Sequence, residues 1–178
     1  DAVLLAAAAN PPQGGYVAEL GSGAGVASLC FLARRHDAHV TGIEFDGDMV
    51  ALAQANAVAN NLGERAQFRR GDIAGAFSDL HIVANSFDEV MANPPFHEAG
   101  TVPEMADGGK ARAHIGTEGT LDNWVKCACA LTRADGHISF IHRADALDRL
   151  LTVMHKRIGD LHVLPISPKP ESPAVRVL

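Results

Sequence analysis

Apolar and polar positions alternate along the chain in two periods, and the two periods take turns. An apolar helical stretch at Asp1–Ala9 is followed by the turn residues Asn10, Pro11, Pro12, Gly14 and Gly15, then by a short apolar strand over Tyr16–Leu20. The glycine-rich segment Gly21–Gly25 leads into a helix over Val26–Arg35, with Val26, Leu29, Cys30 and Ala33 on one face. A second strand spans His39–Glu44. Asp46 is the N-cap candidate for a helix running to about Asn60, which Gly63 closes. Strands follow at Gln67–Arg70 and Phe87–Ala92. A polar loop from about His97 to Glu118 is long for a compact domain, a length associated with functional segments. Leu121, Trp124, Val125, Ala128 and Leu131 recur at helical spacing and predict a helix over Thr120–Thr132, followed by a strand at His137–His142. Leu147, Leu150, Leu151 and Met154 mark a further helix with Gly159 as its C′ residue, and Leu161–Pro165 and Ala174–Leu178 complete the strands.

Strand and helix alternation of this kind predicts an α/β fold with a parallel sheet, in a single domain over residues 1–178. Because the chain opens inside a helix and closes inside a strand, we expect a truncated piece of a longer protein. The apolar runs are far shorter than a membrane span, and no segment has the parts of a signal peptide. Three cysteines at no framework spacing are expected to be reduced thiols in the cytoplasm. The formal net charge of −6 argues against a generally nucleic-acid-binding surface, so a nucleic-acid substrate requires a local basic patch or residues beyond this sequence.

The chemistry concentrates at the ends of the strands. In Glu19-Leu20-Gly21-Ser22-Gly23-Ala24-Gly25, the dinucleotide fingerprint would need glycine where Val26 stands. Glu19 at the strand end would oppose a pyrophosphate and suits a ligand carrying an ammonium or sulfonium charge. Glu44 ends the second strand, 19 residues after Gly25, a spacing suited to ribose hydroxyls. Phe45 offers a face for an adenine. After the third strand, the Asp72 carboxylate and the Ile73 N–H suit the adenine edge. Asn93-Pro94-Pro95-Phe96 then ends the fourth strand with a rigid turn. The side-chain oxygen of Asn93 and the carbonyl of Pro94 would accept the two hydrogens of a planar NH₂ group, and Phe96 would stack on its ring.

Together these segments resemble class I S-adenosylmethionine-dependent methyltransferases that act on amines. Within that class the chain is most similar to the bacterial tRNA1(Val) adenine-N6 methyltransferase family. Asp1–Leu5, Asn93–Phe96, Lys110-Ala111-Arg112-Ala113-His114 and the Pro170–Leu178 end carry this finer likeness. The resemblance implies a Rossmann-like, doubly wound sheet of seven strands, mostly parallel with the last antiparallel. It implies S-adenosylmethionine as cofactor, held by Glu19, Gly21, Gly23, Gly25 and Glu44 with Asp72 at its adenine, and the residue reading adds Phe45 and Ile73 to that set. It implies a target amine held by Asn93, Pro94 and Phe96, with Pro95 completing the rigid turn, most readily adenine N6 in tRNA; from their place in the long loop, Lys110 and Arg112 are candidate phosphate contacts or plain solvated loop residues. Neither a metal nor a membrane is expected. A protein glutamine, a guanine N2 or a small-molecule oxygen remain alternative acceptors, and a module that binds the cofactor without catalysis is the alternative of another class.

Overall fold

The computed structural model describes residues 1–75, 77–95 and 119–178. The elements follow in the order α1 (Ala2–Ala8), β1 (Tyr16–Leu20), α2 (Val26–Arg34), β2 (His39–Glu44), α3 (Gly47–Ala59), β3 (Ala66–Arg70), β4 (Phe87–Ala92), α4 (Gly119–Leu131), β5 (Thr132–Phe140), β6 (His142–Arg143), α5 (Leu147–Met154), β7 (Pro165–Ile166) and β8 (Arg176–Val177). β1 to β5 form one parallel sheet in the order β3-β2-β1-β4-β5. The chain reverses its direction of travel across the sheet between β1 and β4. In open α/β sheets, ligands bind outside the carboxyl ends of the strands at such a point.

Both faces of this sheet are covered, as a parallel sheet requires. On one face Leu5 of α1, Phe31 and Leu32 of α2 and Ala53 and Ala57 of α3 pack against Val17, Val40, Phe68, Met91 and Ile141. On the other, Trp124, Val125, Ala128 and Leu131 of α4 and Leu150 and Met154 of α5 pack against Ala18, Leu20, Ile43, Val90 and Phe140. All six residues of β4 are buried, which explains why its sequence does not alternate cleanly. Asp88 survives there because its Oδ2 accepts from the Tyr16 N–H at 2.8 Å and its Oδ1 pairs with Arg133 at 2.8 Å. Asp46 caps α3 as expected, accepting from the Asp48 N–H at 2.8 Å.

Three expectations from the sequence change. Among the described residues the strands do not make one seven-stranded sheet: five form a parallel sheet and three form a separate antiparallel sheet in the order β6-β8-β7. Of the stretch expected as a strand at Leu161–Pro165, only Pro165 enters one, β7 (Pro165–Ile166), and Pro165 has no N–H to donate to a ladder. Second, β5 begins at Thr132 and not at His137. Its register against β4 jumps from Phe87↔Thr132 to Glu89↔His137, and Asp135 adopts a left-handed conformation (φ 61°) in the inserted residues. Third, Gly159 does not close α5. The helix stops at Met154, and Lys156 takes the positive φ that glycine was expected to supply.

Phe31 is fully buried between α1, α2 and the sheet. Its replacement by alanine is expected to lower the unfolding free energy by about 3–5 kcal/mol through lost burial and a residual cavity. Val58→Ala, at an exposed site on α3, should stay within about 0.5 kcal/mol. Urea denaturation of the two variants checks the contrast.

Candidate functional site

β1 lies between β2 and β4 in parallel, and Leu20 registers with Ile43 on one side and Ala92 on the other. Gly21, Glu44 and Asn93 therefore emerge at one edge of the sheet, with Asp72 close behind after β3. The four segments singled out in the sequence meet there because their strands run parallel in step.

The turn Gly21–Gly25 is held by side chains from several other elements. The Gly23 N–H donates to Glu44 Oε2 at 2.8 Å, and Glu44 Oε1 accepts from the Asp46 N–H at 3.0 Å. Asn56 of α3 donates through Nδ2 to the Ala24 carbonyl at 3.0 Å. Beneath the turn, the Trp124 ring lies so close to Gly21 that a Cβ there would sit 2.3 Å from its Cη2 atom. Gly23 is the opposite case: at φ +51° its missing Cβ would point into open space. Gly25 is the N-cap residue of α2.

Glu19 faces the α2 side of the sheet and is almost fully buried. Its Oε2 accepts from both the N–H of Ser28, at 2.9 Å, and the Ser28 hydroxyl, while Oε1 has no hydrogen bond among the described residues. Burial pushes the Glu19 carboxyl up to about 7, against the two bonds from Ser28, and Glu44 adds to the rise by repulsion. Two carboxylates thus border one short turn. A carboxylate has about four acceptor positions, so Glu44 keeps acceptor capacity beyond its two backbone donors.

Phe45, about a third exposed, follows β2 at the rim, and its carbonyl accepts from Arg70 Nε at 3.2 Å. Asp72 folds its own loop, with Oδ1 accepting from the Ala74 N–H at 2.9 Å, and Ile73 packs its side chain against the α4–α5 side of the core. Past β4, Pro94 is buried and Pro95 exposed. The Asn93 side-chain oxygen is buried with no hydrogen-bond partner among the described residues. An unsatisfied buried acceptor costs about 1–3 kcal/mol, so it marks a position where a donor is missing. Phe96, Lys110 and Arg112, together with the loop histidines His97 and His114, lie outside the described residues.

The sequence reading did not include Ser28, Asn56 or Trp124 among the residues of this site. Ser28 sits nine residues after Glu19 and is fully buried inside a helix, where serine is normally exposed, but that burial is invisible in the sequence. On α4, burial pushes the Cys127 thiol up to about 11, which keeps it protonated and inert.

The arrangement fits S-adenosylmethionine. Open space over Gly23 admits a ligand to the backbone, and two carboxylates suit its cationic end and its ribose hydroxyls. The same pair would repel a pyrophosphate.

The methyltransferase small domain model matches residues 2–121. Among curated proteins, the chain is 28% identical over 155 residues to the tRNA1(Val) (adenine(37)-N6)-methyltransferase of Glaesserella parasuis, covering 87% of this chain and 63% of that protein. It is 32% identical over 121 residues to the protein of that name in Shewanella amazonensis, covering 68% of this chain and 50% of the relative. It is 36% identical over 113 residues to the release factor glutamine methyltransferase of Rhodospirillum rubrum, covering 61% of this chain and 33% of that protein. The chain thus spans about a third to two thirds of the length of these relatives. Among solved structures, a predicted O-methyltransferase from Agrobacterium tumefaciens superposes with a TM-score of 0.82 at 24% identity, over 99% of this chain and 77% of that one. TrmN from Thermus thermophilus gives a TM-score of 0.70 at 19% identity, over 99% and 45%. At these identities the structural matches establish the fold.

Gly21→Ala is expected to destabilise the protein more than Gly23→Ala. Both variants strain a left-handed backbone by about 1–2 kcal/mol, but only the first drives a methyl group into Trp124. Thermal denaturation ranks the pair. Emission from Trp124, the one tryptophan of the chain, should shift in the Gly21 variant and stay put in the other.

Proposed function

Because the chain belongs to the methyltransferase small domain family, we propose that it is an S-adenosylmethionine-dependent N-methyltransferase whose acceptor is the N6 amine of adenine in a tRNA. The observation that carries this reading is the buried, unpartnered Asn93 oxygen directly after β4, beside the glycine turn after β1. A binding module has no use for an acceptor orphaned at that point. An enzyme whose substrate brings an N–H there does.

The residues divide the work. Glu19, Gly21, Gly23, Gly25 and Glu44 hold the methionine and ribose ends of the cofactor, and Phe45, Asp72 and Ile73 frame its adenine. S-adenosylmethionine supplies an electrophilic methyl group on a sulfonium centre. Asn93 and the Pro94 carbonyl accept the two hydrogens of the exocyclic amine and hold its nitrogen pyramidal, which turns a lone pair otherwise lost to the ring toward the methyl group. Pro94 and Pro95 keep that acceptor pair rigid, so little reorganisation accompanies the transfer. The proton leaves the nitrogen after attack, and no strong base is required beforehand. Phe96 gives a base flipped from its stack a surface to lie on, and Lys110 and Arg112 supply charge for the nucleic-acid backbone. Reduced thiols and a tRNA acceptor both suit the cytoplasm.

The adenine acceptor is supported by the relatives that carry that activity in their names. The glutamine side chain is the second reading, favoured by the release factor glutamine methyltransferase, which is more identical over a shorter span. A carboxamide nitrogen is also planar and conjugated, so the same acceptor pair serves it.

Labelled S-adenosylmethionine, incubated with the protein and with RNA and protein from cells lacking its gene, identifies the acceptor. N6-methyladenosine in tRNA supports the proposal. Label in protein moves the acceptor to glutamine, and label in neither sinks both. Asn93→Ala should reduce the turnover rate at least about 100-fold while cofactor affinity, measured by calorimetry, stays within about twofold. Unchanged turnover would remove Asn93 from the chemistry.

A further inference from the structure

We propose that Glu19 receives the cofactor's ammonium group only by giving up a proton, so that capture of the cofactor at the glycine turn releases a proton to solvent. The proposal rests on the S-adenosylmethionine reading above and concerns how that site is charged before the ligand arrives.

The geometry carries it. Glu19 is the penultimate residue of β1, just before the turn, buried, with its two oxygens in different situations. Oε2 is fastened to the first part of α2 by the N–H and hydroxyl of Ser28. Oε1 has no partner among the described residues. Glu44 borders the same turn from β2, bonded to the Gly23 N–H. Two carboxylates sharing a low-dielectric site resist being charged together.

Among the described residues no cation hydrogen-bonds to Glu19, and Arg70 of β3, in register with Glu44, donates to the Phe45 carbonyl. The residues in register with Glu19 are Gly42 of β2 and Met91 of β4, both uncharged. α1 contains no charged residue between Ala2 and Ala8. Arg34 of α2 is engaged with the carbonyls of Ala6 and Ala9, and Glu89 of β4 is engaged with the Asn10 N–H and the Ser139 hydroxyl. Glu44 is the charged group that acts on Glu19, and it opposes ionisation.

Burial is the largest reason that the Glu19 carboxyl titrates near 7 in the ligand-free protein. This is the reverse of the usual paired carboxylate. The folded state holds its proton more tightly than the unfolded state does, where the group titrates near 4.5. Its contribution to stability is therefore greatest below that range, declines as pH rises toward 7, and is level above. An ammonium brought to Oε1 favours the ionised form and expels the proton. Ser28 prepares the site by stabilising the same ionised form from the other oxygen.

Calorimetric titration with S-adenosylmethionine, in buffers of different ionisation enthalpy, counts protons directly. At pH 7 the wild-type protein should release about half a proton more per cofactor bound than Glu19→Gln, since the group is then about half protonated. The comparison cancels the cofactor's own amine, which titrates near 7.7–8.0 in ordinary α-amino groups. Wild-type affinity should weaken roughly fivefold from pH 7 to pH 6 relative to the Gln variant. In Ser28→Ala, which keeps the carboxyl and loses a bond to its charged form, the pH profile should move upward. Equal proton counts and parallel pH profiles for wild type and Glu19→Gln overturn the proposal. If the Gln variant does not fold, an unmoved profile in Ser28→Ala overturns it instead. Absence of cofactor binding at every pH sinks the cofactor reading itself, and this inference with it.

Discussion

The site depends on the parallel register of three strands. β1 lies between β2 and β4, all three run the same way, and Leu20 stands level with Ile43 and Ala92. Whatever follows each strand is delivered to one edge. Parallel strands need crossover connections, and α2, α3 and α4 lie in them; with α1 and α5 added, α1, α2 and α3 cover one face and α4 and α5 the other. The central strands β1 and β4 are thus buried on both faces over almost all of their length, and polar chemistry is left to the carboxyl edge. A shift of one residue in any of these registers would invert that strand's inward and outward faces and break both cores at once.

At that edge the electrostatics separate into two halves. The half after β1 and β2 carries negative charge, from Glu19 and Glu44 around one turn. The half after β4 presents neutral acceptors, headed by Asn93. A cationic donor group suits the first and a planar amine suits the second. A methyl group passing from the first half to the second would need no charged base on the acceptor side.

The rigidity of the turn has distributed causes. Asn56 of α3 holds the Ala24 carbonyl, Trp124 of α4 supports Gly21 from below, Ser28 of α2 anchors Glu19, and Glu44 of β2 takes the Gly23 N–H. Every one of these contributors sits on an element that packs into one of the two cores. The free energy that orders the turn comes mostly from burying those cores, since hydrogen bonds to backbone groups contribute only about 0.5–1.5 kcal/mol each. Changes in the packing under α3 or α4 would therefore reach the cofactor turn without touching a ligand.

Much of this was legible in the chain alone, for a local reason. The β4 strand over Phe87–Ala92, the helix after Gly25 and the capping Asp46 are set by residues next to one another, through period, turn chemistry and capping. So was the placing of Glu19, Glu44, Asp72 and Asn93 at strand ends. The same local reasoning extended the late strands too far, because Leu161–Pro165 has the composition of a strand but lacks a sheet partner over most of its length. It also gave Gly159 a capping role that Lys156 takes, since where a helix stops depends on the core that Leu150 and Met154 enter. Tertiary structure alone decided that Ser28, Asn56 and Trp124 converge on the turn, and that among the described residues one oxygen of Glu19 is bonded and the other is not, and the Asn93 oxygen is buried without a partner. Those facts depend on groups brought together from distant parts of the chain, and a linear pattern records which residues are available but not which of them meet.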